Sequence, residues 1–242
     1  MASHVDGYLR HIMDACAQNR SGQVADYIPE LAAVDPDGYG LSLCVHDGHT
    51  YSCGDSDHEF TIQSVSKPLT YAMVLSRLGA VAADRKIGVE PSGEAFNEIS
   101  VDARRRPRNP MINAGAIMSA SLLLPPVRDV AESVIVSAFA EIVDFYSACA
   151  GRRLTMDEAV YTSESRTGSR NRAIAYMLDS FGTLDTSPDA ALDLYYRQCS
   201  IRVTTDDLAV IAATIANGGL NPRTGRHVFN QEVAQRVLSV MT

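Results

Sequence analysis

The sequence predicts an α+β fold in which a short antiparallel sheet is packed among many helices. Three observations predict it. One clear hairpin pattern lies near the N-terminus. Leu41-Ser42-Leu43-Cys44-Val45 alternates apolar with small or polar residues, Asp47-Gly48 marks a two-residue turn, and Thr50-Tyr51-Ser52-Cys53 returns. From Ser64 onward, apolar residues recur at helical spacing almost to the end. Finally, 242 residues with 46% hydrophobic and 21% charged side chains are enough to bury a core in an ordinary globular chain.

The elements follow in order. Tyr8, Ile12 and Ala15 predict a helix over 6–19. A second short helix is expected after Ser21, carrying Val24, Ala25 and Ile28 until Pro29 disturbs it. Beyond the hairpin, 68–78 is strongly apolar and predicts a buried helix. Another is expected over 113–124, stopped by Pro125-Pro126. Val130, Val134, Ala138, Ile142 and Phe145 place a long amphipathic helix. Thr155 to Glu158 fits a capping box, and Thr204 to Asp207 fits its Asp variant. Ser187-Pro188 reads as N-cap and first helical residue, and Asn217-Gly218-Gly219 as a helix stop. A last helix runs from about Asn230 to Thr242. A two-stranded hairpin is marginal alone, and the pattern offers no convincing further strand. Either the sheet continues beyond these residues, or helices cover the hairpin unaided.

Charge and composition exclude several classes. The 21 basic and 29 acidic residues give a net charge of −8, unlike a typical nucleic-acid binder. The basic cluster Arg104-Arg105-Arg106-Pro107-Arg108 has no interleaved aromatics and reads as a solvated loop. No apolar run of membrane-spanning length is expected, and the N-terminus lacks a basic stretch followed by an apolar one. No membrane or nucleic-acid partner is predicted. Five cysteines without a CxxC pair read as free thiols in a cytoplasmic protein. The six histidines show no HxxxH spacing, so no metal is predicted.

The candidate chemistry lies in Gln63-Ser64-Val65-Ser66-Lys67-Pro68. Ser64 and Lys67 are three residues apart and share one helix face. Pro68 cannot sit deep in a helix, so the helix should begin near Ser64, with its hydroxyl at the positive end of the dipole. The apolar stretch after Pro68 would bury Lys67 and favour its neutral form. A neutral lysine can take the Ser64 proton, which an arginine cannot. Of the 21 basic residues only Lys67 and Lys86 are lysines. The spacing alone favours a plainer reading, an N-capping serine followed by an exposed lysine. A second reading is the penicillin-recognising SxxK class. Its order is matched by Ser64…Lys67, Ser169-Arg170-Asn171 and Arg223-Thr224-Gly225, although the last triplet has turn chemistry rather than strand chemistry.

A wider set of blocks resembles the serine-dependent glutaminase family. They are Val24-Ala25-Asp26-Tyr27-Ile28-Pro29, Gln63-Ser64-Val65-Ser66-Lys67-Pro68, Glu90-Pro91-Ser92-Gly93, Asn109-Pro110-Met111-Ile112-Asn113-Ala114-Gly115-Ala116-Ile117, Ser163-Glu164-Ser165-Arg166 with Arg170-Asn171, Cys199-Ser200-Ile201, and Ala216-Asn217-Gly218-Gly219. The resemblance implies a β-lactamase/transpeptidase-like fold, with a helical domain beside an antiparallel sheet flanked by helices. It implies hydrolysis of L-glutamine to L-glutamate and ammonia without a cofactor, by a homodimer or homotetramer. Ser64 then resembles the nucleophile and Lys67 its proton acceptor. Tyr27, Gln63, Asn113, Glu164, Asn171 and Tyr195 resemble substrate-binding residues. Glu164 suits the α-ammonium of glutamine by a charge-assisted hydrogen bond. Asn113, Asn171 and the tyrosines suit its carboxylate and amide, and the Ser64 N–H suits an oxyanion.

Each has a plainer reading from the residues alone. Tyr27 and Tyr195 could edge the core, Asn113 could be an N-cap, and Glu164 could pair with Arg166 or Arg170. The expected division is 1–70 (N-terminal helices, hairpin and nucleophile segment of an α/β unit), 71–200 (mainly helical) and 201–242 (return helices of the α/β unit). The resemblance further implies residues beyond Thr242 that carry a second catalytic tyrosine, a Lys-Ser-Gly-Val stretch with another oxyanion donor, and more strands. The sheet is therefore expected to be incomplete in this chain. The alternative function is a weak or inactive truncated form that serves binding or oligomerisation.

Overall fold

The computed structural model describes residues 4–95, 97–98 and 100–242. Helix α1 spans His4–Cys16 and α2 spans Pro29–Ala32. The strands β1 (Gly40–Cys44) and β2 (Thr50–Gly54) form an antiparallel hairpin with Leu41 opposite Cys53 and Leu43 opposite Tyr51. Strand β3 (Phe60–Thr61) leads into a 3₁₀ turn, Gln63–Ser66, and α3 (Lys67–Leu78). Then come α4 (Ala80–Lys86), α5 (Asn113–Ser121), α6 (Glu132–Ala150), α7 (Glu158–Thr167), α8 (Ser169–Ser180) and α9 (Pro188–Cys199). Strand β4 (Arg202–Val203), α10 (Thr205–Ala216) and α11 (Gln231–Met241) complete the chain.

Local chemistry accounts for most boundaries. Ser187 Oγ accepts from the Ala190 N–H, with Pro188 in the first turn of α9. Thr204 and Asp207 form a reciprocal capping box at α10, and Asn230 caps α11. Four expectations are corrected. The helix expected over Val24–Ile28 is absent. Ile28 is extended (φ −136°, ψ 151°) because it precedes a proline, and Pro29 starts α2 rather than stopping a helix. At α7 the cap is Asp157, whose Oδ1 accepts from the Ala159 and Val160 N–H groups, not Thr155. The hairpin turn holds three residues, not two. Val45 N–H bonds the His49 carbonyl at 3.0 Å, and Gly48 takes a left-handed φ of +87°. A side chain on Gly48 would also strike the Pro222 carbonyl, 2.5 Å from an added Cβ. Helix α5 ends at Ser121, and Leu122–Leu124 turn before the two prolines.

Two further strands escaped the sequence pattern. β3 pairs antiparallel with β4, Phe60 opposite Val203 and Thr61 opposite Arg202, and two residues per strand are too few to show alternation. The hairpin itself is packed by α1 and α10. Ser42 Oγ and Ser52 Oγ, a cross-strand pair, both donate to Asp206 Oδ1 of α10 at 2.5 Å.

The core lies among α3, α5, α6, α8 and α9. All nine residues of α5 are buried. Gly115 lets α5 press against the Asn109-Pro110 backbone, since an added Cβ would sit 1.9 Å from the Asn109 carbonyl oxygen. Helix α6 corrects another expectation, because its 19 residues are long and apolar enough to reach membrane-spanning length. It packs on α9 and α10 with Ile142, Tyr146 and Cys149 fully buried, while Glu132, Glu141 and Asp144 pair with Arg197, Arg77 and Arg153. All five cysteines are free thiols. The basic cluster is only partly solvated. Arg106 is half-buried and bonds Asp102 and the Asp84 carbonyl, while Arg104, Arg105 and Arg108 are exposed.

Candidate active site

The 3₁₀ turn and α3 place Ser64 and Lys67 one turn apart. Ser64 is exposed, while Lys67 is only 3% exposed, so the exposed-lysine reading fails. The helical stretch opens at Gln63, as expected, with Pro68 in the first turn of α3. Gln63 has φ +48°, a left-handed conformation that costs a non-glycine residue on the order of 1 kcal/mol or more.

Lys67 Nζ donates to Asn113 Oδ1 at 2.8 Å, and Asn113 Nδ2 donates to Asn171 Oδ1 at 2.9 Å. Asn113 is therefore not the cap of α5, a position held by Ile112. Burial pushes the Lys67 ammonium down to about 8, against a smaller upward pull from Cys199. Across from it, Tyr27 Oη donates to Gln63 Oε1 at 3.2 Å, and Gln63 Nε2 donates to Thr61 Oγ1 at 3.2 Å. Glu164 sits near the end of α7, 6% exposed. Burial holds its carboxyl above the usual range, the polar groups of Gln63 and Tyr27 beside it pull it back, and the nearby Glu30 raises it again. Arg170 does not pair with it but binds Glu98 Oε1 at 2.5 Å and the Asn97 carbonyl at 2.8 Å. Tyr195 is buried on α9, and desolvation holds its phenol firmly protonated.

These groups surround one cavity of about 310 Å³, in the range of a small-molecule site. Tyr27, Gln63, Ser64, Asn113, Glu164, Asn171 and Tyr195 line it, and Lys67 lies behind Asn113. Asn97, Thr167 to Arg170 and Cys199 also line it and were missed. Cys199 had a signal, since it follows Tyr195 by four residues on one helix face. Asn97 had none, because it comes from an irregular connection. A hollow of about 420 Å³ near Cys16, Arg20 and Tyr39 is a different kind of place, for its Arg20–Asp37 ion pair is exposed to solvent. Among the described residues, no group of three or more His, Cys, Asp or Glu is arranged to hold a metal ion. The Arg223-Thr224-Gly225 triplet sits in a turn, with Asn221 Oδ1 accepting from the Arg223 and Thr224 N–H groups, and not on a strand beside Ser64.

An exposed serine at a small cavity, with a buried lysine a turn behind it, is the layout of an acyl-transfer site that needs no histidine. The family model for glutaminase matches residues 22–242, and the chain belongs to the glutaminase family. Glutaminase 1 of Bradyrhizobium diazoefficiens is 48% identical over 238 residues, covering 97% of this chain and 38% of that protein. The glutaminase of Corynebacterium glutamicum is 44% identical over 234 residues, covering 97% of this chain and 55% of that protein. The crystal structure of Mglu in its glutamate form superposes with a TM-score of 0.92 at 43% identity, covering 100% of this chain and 55% of that one. The chain thus spans about half the length, or less, of these relatives. The α+β architecture is common to this chain and Mglu.

Proposed function

We propose that this chain hydrolyses L-glutamine to L-glutamate and ammonia at the cavity beside Ser64. The observation that carries the reading is the buried Lys67, desolvated and hydrogen-bonded to Asn113, one turn from an exposed serine. In this reading neutral Lys67 takes the Ser64 proton as Oγ attacks the side-chain amide carbon of glutamine. The tetrahedral oxyanion is met by the Ser64 N–H, the proton passes to the leaving nitrogen, and ammonia departs. Water then hydrolyses the glutamyl ester, with Lys67 again holding the proton. At the other end of the cavity ionised Glu164 holds the α-ammonium. Asn171, Asn113 and the Tyr27 and Tyr195 hydroxyls orient the carboxylate and the amide. The family match and the glutamate form of the related Mglu support glutamine as substrate.

Two finer parts belong to the proposal: a homodimer or homotetramer, which rests on the family alone, and a cytoplasmic location, which the five free cysteines support. The proposed division of the chain joins 1–70 and 201–242 in one α/β unit beside the helical 71–200. The β3–β4 pairing and the Ser42 and Ser52 bonds to Asp206 support it.

The test is ammonia release from L-glutamine by the purified chain beside its Ser64→Ala variant. Release that disappears in the variant is expected. Equal release from both, or none from the folded chain, overturns the proposal.

A further inference from the structure

Beneath the Ser64 turn lies a closed set of buried polar groups that the chemistry above does not use. Ser66, Thr70, Tyr146 and Gln198 come from the 3₁₀ turn, α3, α6 and α9, and each has 0% exposure. Tyr146 Oη donates to the Ser66 carbonyl at 2.9 Å. With that proton placed, the single Thr70 Oγ1 proton is shared between two acceptors, Tyr146 Oη at 2.6 Å and Gln198 Oε1 at 2.8 Å. Gln198 Nε2 donates to Ser66 Oγ at 3.4 Å, and Ser66 Oγ donates to the Gln63 carbonyl at 2.6 Å.

The chain of bonds ends on both carbonyls that bound the turn. Gln63 is the residue with φ +48°, and it lies immediately before Ser64. A strained backbone persists only where its surroundings over-determine it, and a fully satisfied buried network is rigid. Hydrogen bonds on Gln63 and Ser66 leave Ser64 and Val65 suspended between two fixed points.

We propose that Tyr146, Thr70 and Gln198 are positioning residues that hold the left-handed Gln63 turn and so aim the Ser64 hydroxyl into the cavity. This rests on reading Ser64 as the nucleophile. A misplacement of about 1 Å can cost a hundredfold in rate, so the loss should fall on kcat. Glu164 and Asn171, on other elements, should keep KM within about twofold.

The experiment compares Tyr146→Phe with Thr214→Val. Thr214 is an equally buried hydroxyl on α10, bonded to the Cys149 and Val210 carbonyls and outside the site. Tyr146→Phe should lower kcat for L-glutamine at least about tenfold at nearly constant KM. Amide exchange over 63–67 should also quicken. Thr214→Val should lower the urea midpoint and change neither. Thr70→Val should repeat the kcat loss, and Thr70→Ser should recover most of it, which keeps the test alive if Tyr146→Phe fails to fold. Equal kcat losses in Tyr146→Phe and Thr214→Val, or unchanged exchange over 63–67, overturn the proposal. If wild type shows no Ser64-dependent activity, the reading of the site fails, while the exchange comparison still decides the role of the network.

Discussion

The hairpin side and the cavity side of this molecule are both laced with polar contacts, but they differ in how deeply their charged groups are buried. On the hairpin side, Ser42 and Ser52 bond Asp206, Arg223 bonds Thr50, and Leu43 stands 42% exposed. Solvent reaches these groups. On the cavity side, Lys67 and Glu164 are 3% and 6% exposed, and burial moves both toward their neutral forms. Desolvation, more than the number of hydrogen bonds, separates a reactive region from a scaffold.

The sharpest break is Ser64→Ala, which should lower kcat about 10⁴-fold or more with the fold intact by circular dichroism. Next is Lys67→Arg. It keeps the charge but not the proton-accepting ability, and should cost roughly 10²- to 10⁴-fold in kcat/KM. Glu164→Gln should act mainly on binding. Loss of a hydrogen bond to a charged group is worth about 1.5–3 kcal/mol, so KM should rise roughly 10- to 100-fold in steady-state assays. In wild type the same carboxylate should make KM climb as acid protonates it, beginning above the usual carboxylate range because burial holds its proton affinity up. The smallest kinetic effect belongs to the hairpin. Asp206→Ala should leave kcat and KM unchanged while lowering unfolding stability by about 1–2 kcal/mol in urea titrations. A kinetic defect there would erase the contrast between the two sides.

The sequence was most legible where structure is local. The caps at Ser187 and Thr204 and the start of the last helix near Asn230 depend on a few adjacent residues and were read correctly. Pro29 was misread because a proline both ends one helix and starts another, and only the extended Ile28 decides between them. Strands β3 and β4 were invisible, since pairing across about 140 residues leaves no mark on either two-residue segment. Ser64 and Lys67 were legible as a spacing, but spacing could not tell a buried lysine from an exposed one. The other cavity residues came from the family resemblance. Glu164, Asn171 and Tyr195 share one cavity only because α7, α8 and α9 pack together. The Ser66–Gln198 contact joins residues 132 apart, and no local rule reaches that far.

The central claim is that a buried, neutral Lys67 accepts the Ser64 proton. The most direct test is the pH dependence of kcat/KM for L-glutamine, which reports free-enzyme groups, in wild type and Lys67→Arg. Burial sets Lys67 near 8. Wild-type kcat/KM should therefore rise with pH through about 8 as the ammonium loses its proton, and level off above it. Lys67→Arg should show no such rise and stay near background. A wild-type profile flat through this range, or a Lys67→Arg variant of near-native activity, would contradict it.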